Sequence, residues 1–332
     1  MAGGKAQKPM QSRFQRLSAI AAFATIVSAC GLAGESDNAA LDAEALAFAL
    51  EATHNQSFAY EQGTTILFGS DEIDMADNTP PTDSGNVIGF VDDGAYFVSA
   101  DIGASYAAAF EPLGIGEPTQ FEGLRTNMWI VDNTMFADLS DAAELSRRPV
   151  IDPDSEGAPP IAMLDSGPIS VDLERLDVLT DTEIDRPQLL TLMSHVSVID
   201  PLAMLEVVEV TNGLEQTGTN LVSGYRVTEY SASISFLAYR VAAGDPPAEG
   251  FDWEAVAQEP AEADIRLIVA LDDEGLIRQV TVEIAADING ISTRSDTWQT
   301  FQDYGADFDV DPPEGAEATD EVAELLLSLG GT

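Results

Sequence analysis

The sequence predicts an α+β protein that is mainly antiparallel β-structure. Three observations predict it: several segments alternate apolar and polar residues, Asp-Gly and Asn-Gly turns join many of them in pairs, and helical spacing is confined to short stretches near the start, the middle and the end. Strands that follow one another through tight turns pair antiparallel, because a parallel pair needs a long crossover.

The first periodic stretch is "LDAEALAFALEAT". Leu41, Leu46, Phe48 and Leu50 suggest an amphipathic helix packed on a sheet, with Asp42 and Glu44 near its positive N-terminal end. In "QSFAYEQGTTILF" (56–68), Phe58, Tyr60, Ile66 and Phe68 share one parity, which places them on one face of an extended strand. "NVIGFVDDGAYFVSA" (86–100) reads as two strands around Asp-Asp-Gly, and "TNMWIVDNTMFADL" (126–139) as two more around Asp132-Asn133.

Between 140 and 187 the periodicity fades into a Pro- and Asp-rich stretch. Helical spacing returns at 186–210 and is interrupted at Asp200-Pro201, where a proline can open a helix but not continue one, so two short helices are expected. Strands follow at 213–234, 263–273, 276–290 and 291–305, with turns at Asp273-Glu274-Gly275 and Asn289-Gly290. Ile265, Leu267, Val269 and Leu271 alternate on one strand, and Val280, Val282 and Ile284 on the next. The segment 236–262 reads as an inserted excursion with a short helix near Trp253–Gln258, and Thr319–Leu329 as a terminal helix.

The charge is segregated. Lys5, Lys8, Arg13 and Arg16 precede Cys30 and no carboxylate does, whereas 10 cations face 58 carboxylates beyond it. A surface this acidic repels phosphates and anionic head groups, which excludes nucleic acid as a partner. Hydrophobic residues at 45% separate the chain from disordered acidic sequences.

Residues 1–16 are basic, and Leu17–Ala29 carry no charge. This is the order of a secretory signal, and the apolar run falls short of the ~20 residues a membrane-spanning helix needs. Val27-Ser28-Ala29-Cys30 resembles the lipobox of bacterial lipoproteins, an aliphatic residue and two small ones before cysteine. That resemblance implies a diacylglyceryl group on the Cys30 thiol and Cys30 as the first mature residue. At about 0.8 kcal/mol per buried CH₂, two or three acyl chains anchor a protein stably. GLAGESDNA (31–39) has no apolar period and reads as a tether.

The order of helix, strand meander, central helices, long antiparallel strands and terminal helix resembles the LolA-like lipoprotein carriers, and particularly the LppX/LprAFG group of actinobacterial envelope lipoproteins. The resemblance is carried by "DPLAMLEVV" (200–208) before "GLEQTGTNLVSGYRVTEYSA" (213–232), by "IRLIVALDDEGLIRQVTVEI" (265–284) and by "FQDYGADFDVDPPEGAEATD" (301–320). It covers the chain from 40 onward and is weakest at 139–186 and 236–262. It implies a half-open β-barrel with helices packed in the concave face, around an apolar cavity for acyl chains. It brings no catalytic residues.

On that reading Phe58, Tyr60, Ile66, Phe68, Met128, Ile130, Ile265, Leu267, Val269, Val280, Val282 and Ile284 line the concave side. Periodicity alone fits a filled core equally well. The expected organisation is a signal peptide (1–29), a lipidated cysteine with its tether (30–39), and one LolA-like domain (40–332) with insertions near 139–186 and 236–262. The expected role is a membrane-anchored extracytoplasmic lipoprotein that binds or shuttles a lipid or other hydrophobic ligand as a monomer. The alternative is a structural or interaction lipoprotein of the envelope with a closed core and an acidic surface.

Enzyme chemistry finds little support. His54 and His195 stand in no metal-ligand spacing, and no G-x-S-x-G elbow occurs. "DPDSEG" (152–157) begins like a calcium loop, but Met163 stands where a bidentate Glu belongs. Asp92-Asp93 and Asp272-Asp273 are read as turn formers. No cofactor and no metal site is expected.

Overall fold

The computed structural model describes residues 40–70, 82–83, 87–103, 122–142, 167–180, 201–209, 211, 213–235, 264–288, 291–320 and 322. Strands β1 (Ala40–Asp42), β2 (Phe58–Ser70), β3 (Thr82–Asp83), β4 (Val87–Asp92), β5 (Ala95–Asp101), β6 (Arg125–Val131) and β7 (Thr134–Asp138) are followed by β8 (Ile169–Asp172). Then come β9 (Gly213–Val222), β10 (Tyr225–Ser233), β11 (Asp264–Asp272), β12 (Ile277–Ile288), β13 (Ile291–Gln302) and β14 (Glu317–Ala318). The helices are α1 (Ala43–His54), α2 (Leu173–Thr180) and α3 (Pro201–Glu209).

All the strands join one sheet, in the order β1-β9-β10-β11-β12-β13-β2-β4-β5-β6-β7-β8-β14, with β3 added beside β2. Every pairing is antiparallel except β8 with β14. The end strands β1 and β14 do not pair with each other, so the sheet is open. The two meanders meet where β2 pairs with β13 from Ser70 opposite Ile291 to Ala59 opposite Gln302.

Local chemistry explains the hairpins. Asp93-Gly94, Asp132-Asn133 and Ser223-Gly224 all have positive φ, the backbone that a two-residue turn needs to match the twist of its flanking strands. At the β11–β12 turn the Asp272 carboxylate accepts the backbone N–H groups of Glu274 (2.9 Å) and Leu276 (3.0 Å). Ile288 pairs with Ile291, closing the β12–β13 hairpin across the Asn289-Gly290 position. Helix α1 starts at Ala43, two residues later than the periodicity beginning at Leu41 suggests, because Asp42 caps it by accepting the Ala45 N–H at 2.9 Å. Helix α3 opens on Pro201 as expected.

Alternation sorts the strands into two faces. One face carries Val87 and Val91, Tyr96 and Val98, Met128 and Ile130, Met135 and Ala137, all buried. It is continuous with the buried faces of β11 and β12 and with Leu46, Leu50, Leu205 and Val208 of α1 and α3, which form one core. Helices α1 and α3 contact each other, α1 reaching β12 and α3 reaching β11. The opposite face is not wholly polar: Phe97 stacks on Phe90 (5.5 Å between centroids) and meets Trp129 at a tilt (5.3 Å), and Phe308 of the C-terminal segment stacks on Phe90 at 4.9 Å. The Phe308 N–H is held by Asp92 Oδ2 at 3.1 Å, so this aspartate both shapes its turn and pins the chain that follows β13.

Candidate functional site

The register places the proposed lining residues in cross-strand rows. Val280 lies opposite Val269 and Gln299, Val282 opposite Leu267 and Thr297, and Ile284 opposite Ile265. Tyr60 lies opposite Phe301 and Gly89, while Met128 and Ile130 face Val98 and Tyr96 on one side and Ala137 and Met135 on the other. Phe58, Tyr60, Met128, Ile130, Ile265, Leu267, Val269, Val280 and Val282 all belong to the core, with Ile284 half-buried against it. Ile66 and Phe68 stand on β2 opposite Ser295 and Thr293, and their side chains lie outside the described residues.

Packing on this face is tight where it is described. Leu267, Val269 and Val280 have no exposed surface, and Phe58 meets Phe301 edge-on at 5.4 Å. A polar stripe crosses the apolar rows, which parity does not reveal because Gln62 has the same parity as Tyr60. Gln299 Nε2 donates to Gln62 Oε1 at 3.1 Å with both residues buried, and the Thr64 and Thr297 hydroxyls lie 3.1 Å apart.

Cys30, the basic and apolar segments before it and the tether after it lie outside the described residues. So do His195, the 152–163 loop, the 186–200 helical stretch and the helix expected within 236–262. Of the residues expected to form the terminal helix only 319, 320 and 322 are described, and Val322 is buried in the core. His54 ends α1 and is exposed. Among the described residues no three His, Cys, Asp or Glu side chains cluster as metal ligands, and no helix is long and apolar enough to cross a membrane.

A cleft of about 760 Å³ opens elsewhere, where the start of β10, the β11–β12 turn, the segment that follows β13 and Gln56 after α1 converge. None of the proposed lining residues borders it; Tyr225, Arg226, Asp272, Arg278, Asp303 and Tyr304 do. Arg278 is only 5% exposed, and its Nε donates to Asp272 Oδ2 at 2.6 Å. Its guanidinium lies 3.7 Å from the Tyr225 ring centroid and 4.9 Å from that of Tyr304. Tyr304 is half-buried as a whole, but its hydroxyl end turns inward, donating to the Ile277 carbonyl, and burial raises its pKa above the ordinary tyrosine value. These side chains come from separate segments, so no motif announces them. The one available signal is that Arg278 has the parity of Val280, Val282 and Ile284, the apolar row of its strand, in a chain poor in cations.

An open, mainly antiparallel sheet with helices against one apolar face is thus the class of fold. The chain is similar over most of its length to two solved lipoprotein structures. One is lipoprotein LppX of Mycobacterium tuberculosis, at 12% identity, covering 81% of this chain and 97% of that one with a TM-score of 0.35. The other is LprF of Mycobacterium bovis, at 12% identity, covering 82% and 97% with a TM-score of 0.37. The MucA/MucB complex of Pseudomonas aeruginosa matches at 14% identity over 82% of this chain and 58% of that one, with a TM-score of 0.25. No family model matches the chain, and no curated protein matches it.

Proposed function

We propose that this protein is an extracytoplasmic lipoprotein, anchored through Cys30, that binds or shuttles a lipid or other hydrophobic ligand against the apolar face of its sheet. The observation that carries the reading is the continuity of that face, which runs across strands of both meanders and is covered by α1 and α3. On this reading 30–39 is the tether, 40–332 folds as one half-barrel domain, and the inner rows from Phe58 to Ile284 are the seat. Each Å² of apolar ligand surface buried there contributes about 25 cal/mol, with no covalent chemistry. Because Leu267, Val269 and Val280 are fully covered, a ligand enters by displacing the helices from β11 and β12.

That complete burial also favours a second reading, a structural or interaction lipoprotein of the envelope with a filled core. Native mass spectrometry of the chain purified without detergent separates the two. Acyl-type ligands carried by the protein support the carrier, whereas a consistently bare protein that takes up no added fatty acid refutes it. Membrane anchoring is tested separately: mass spectrometry of the mature N-terminal peptide should show an acylated Cys30, and Cys30→Ser should abolish that acylation.

A further inference from the structure

We propose that the cleft beside Arg278 binds a small zwitterion, a ligand with a carboxylate or phosphate group a few bonds from a primary ammonium. The proposal does not depend on the apolar face. Arg278 Nη1 is buried in the wall of the cleft without a hydrogen-bond partner. A buried donor left unmet costs about 1–3 kcal/mol, so an acceptor supplied by a ligand recovers it. Arg226 borders the same cleft and, alone among the described arginines, has a side chain with neither a hydrogen bond nor an ion pair to any described residue, whereas Arg125, Arg175, Arg266 and Arg294 each have one. Two arginines with unmet side-chain donors thus border one cleft in a chain of net charge −44.

A bare anion does not fit the rest of the wall. Asp272 neutralises Arg278, but the exposed carboxylates of Asp273, Glu274 and Asp303 are unpaired among the described residues and ask for N–H donors. A bare cation would leave Arg226 and Arg278 unmet. A ligand of no net charge that carries both groups satisfies both sets, and the acidic surface does not repel it. Leu221, directly opposite Arg226 on β9 and 69% exposed, adds an apolar margin that suits a lipid head group as the source of this chemistry; a free solute is the other source.

The probes are O-phosphoethanolamine, inorganic phosphate and ethanolamine, titrated by calorimetry into the full chain. The zwitterion should bind at least about tenfold more tightly than either fragment, as one charge-assisted bond of ~1.4 kcal/mol would give. Arg226→Gln and Asp303→Asn should each weaken it about tenfold with an unchanged melting temperature; both sites are exposed, so folding is spared where Arg278→Gln would threaten it. Flotation with equimolar phosphatidylethanolamine and phosphatidylcholine vesicles, against phosphatidylcholine alone, assigns the source. A preference for the first that Arg226→Gln abolishes identifies a head group, and equal flotation with zwitterion binding intact identifies a solute. Phosphate or ethanolamine binding as well as the zwitterion, no binding at all, or variants that bind like the parent would each overturn the proposal.

Discussion

Gly89 on β4 sits opposite Tyr60 on β2, and its lack of a side chain is what lets that tyrosine lie flat in the core. A Cβ there would stand 2.4 Å from the Phe97 carbonyl oxygen and 2.5 Å from the Tyr60 ring. Neither neighbour can yield cheaply, since one is backbone and the other is fully packed. Gly89→Ala should therefore destabilise the protein by about 1–3 kcal/mol in denaturant unfolding, while a substitution at open Gly94 that tolerates positive φ, such as Asn, should cost far less. Tyr304 acts through its proton instead. Its folded pKa is raised by burial, so the unfolded chain loses this proton first as pH rises beyond the ordinary tyrosine value of about 10. The stability it contributes is complete below that pH and falls above it. In Tyr304→Phe the loss of stability between pH 9 and about 11 should be shallower than in the parent, and an identical slope would contradict the assignment.

Among the elements, legibility followed the strength of the local signal. Strands β4 to β7 and β9 to β13 could be read because each alternates over its length and most end on an Asp, Asn or Gly that takes positive φ. The inner face was legible for the same reason, and nine of its twelve proposed residues lie in the core. Strand β8 and helix α2 were hidden in the Pro- and Asp-rich stretch, since four residues of strand show too few alternations to stand out. The Gln62–Gln299 pair was hidden because parity reports which face a residue takes and not what it meets there. The aromatic stack on the opposite face depends on Phe308, a residue far from Phe90 in sequence and brought over it by the Asp92 contact. The Arg278 cleft is the extreme case, assembled from separate segments by the sheet itself, so it exists only at the level of tertiary structure.

For the molecule as a whole, the dominant electrostatic fact is net charge −44. Five of the six described arginines are already engaged, so most carboxylates have no cation to meet and repel one another across the surface. The repulsion is greater in the compact state than in the expanded chain, and salt shortens its reach from ~30 Å at 0.01 M to ~3 Å at 1 M. The melting temperature should therefore rise steadily with sodium chloride. Screening and cation capture differ in what they count: screening follows ionic strength whichever salt supplies it, whereas a built calcium site responds at millimolar calcium. If screening alone acts, millimolar calcium chloride should raise the melting temperature no more than sodium chloride of equal ionic strength. A larger calcium effect would place specific cation binding on this surface, and a melting temperature indifferent to sodium chloride would show that the self-repulsion is offset within the fold.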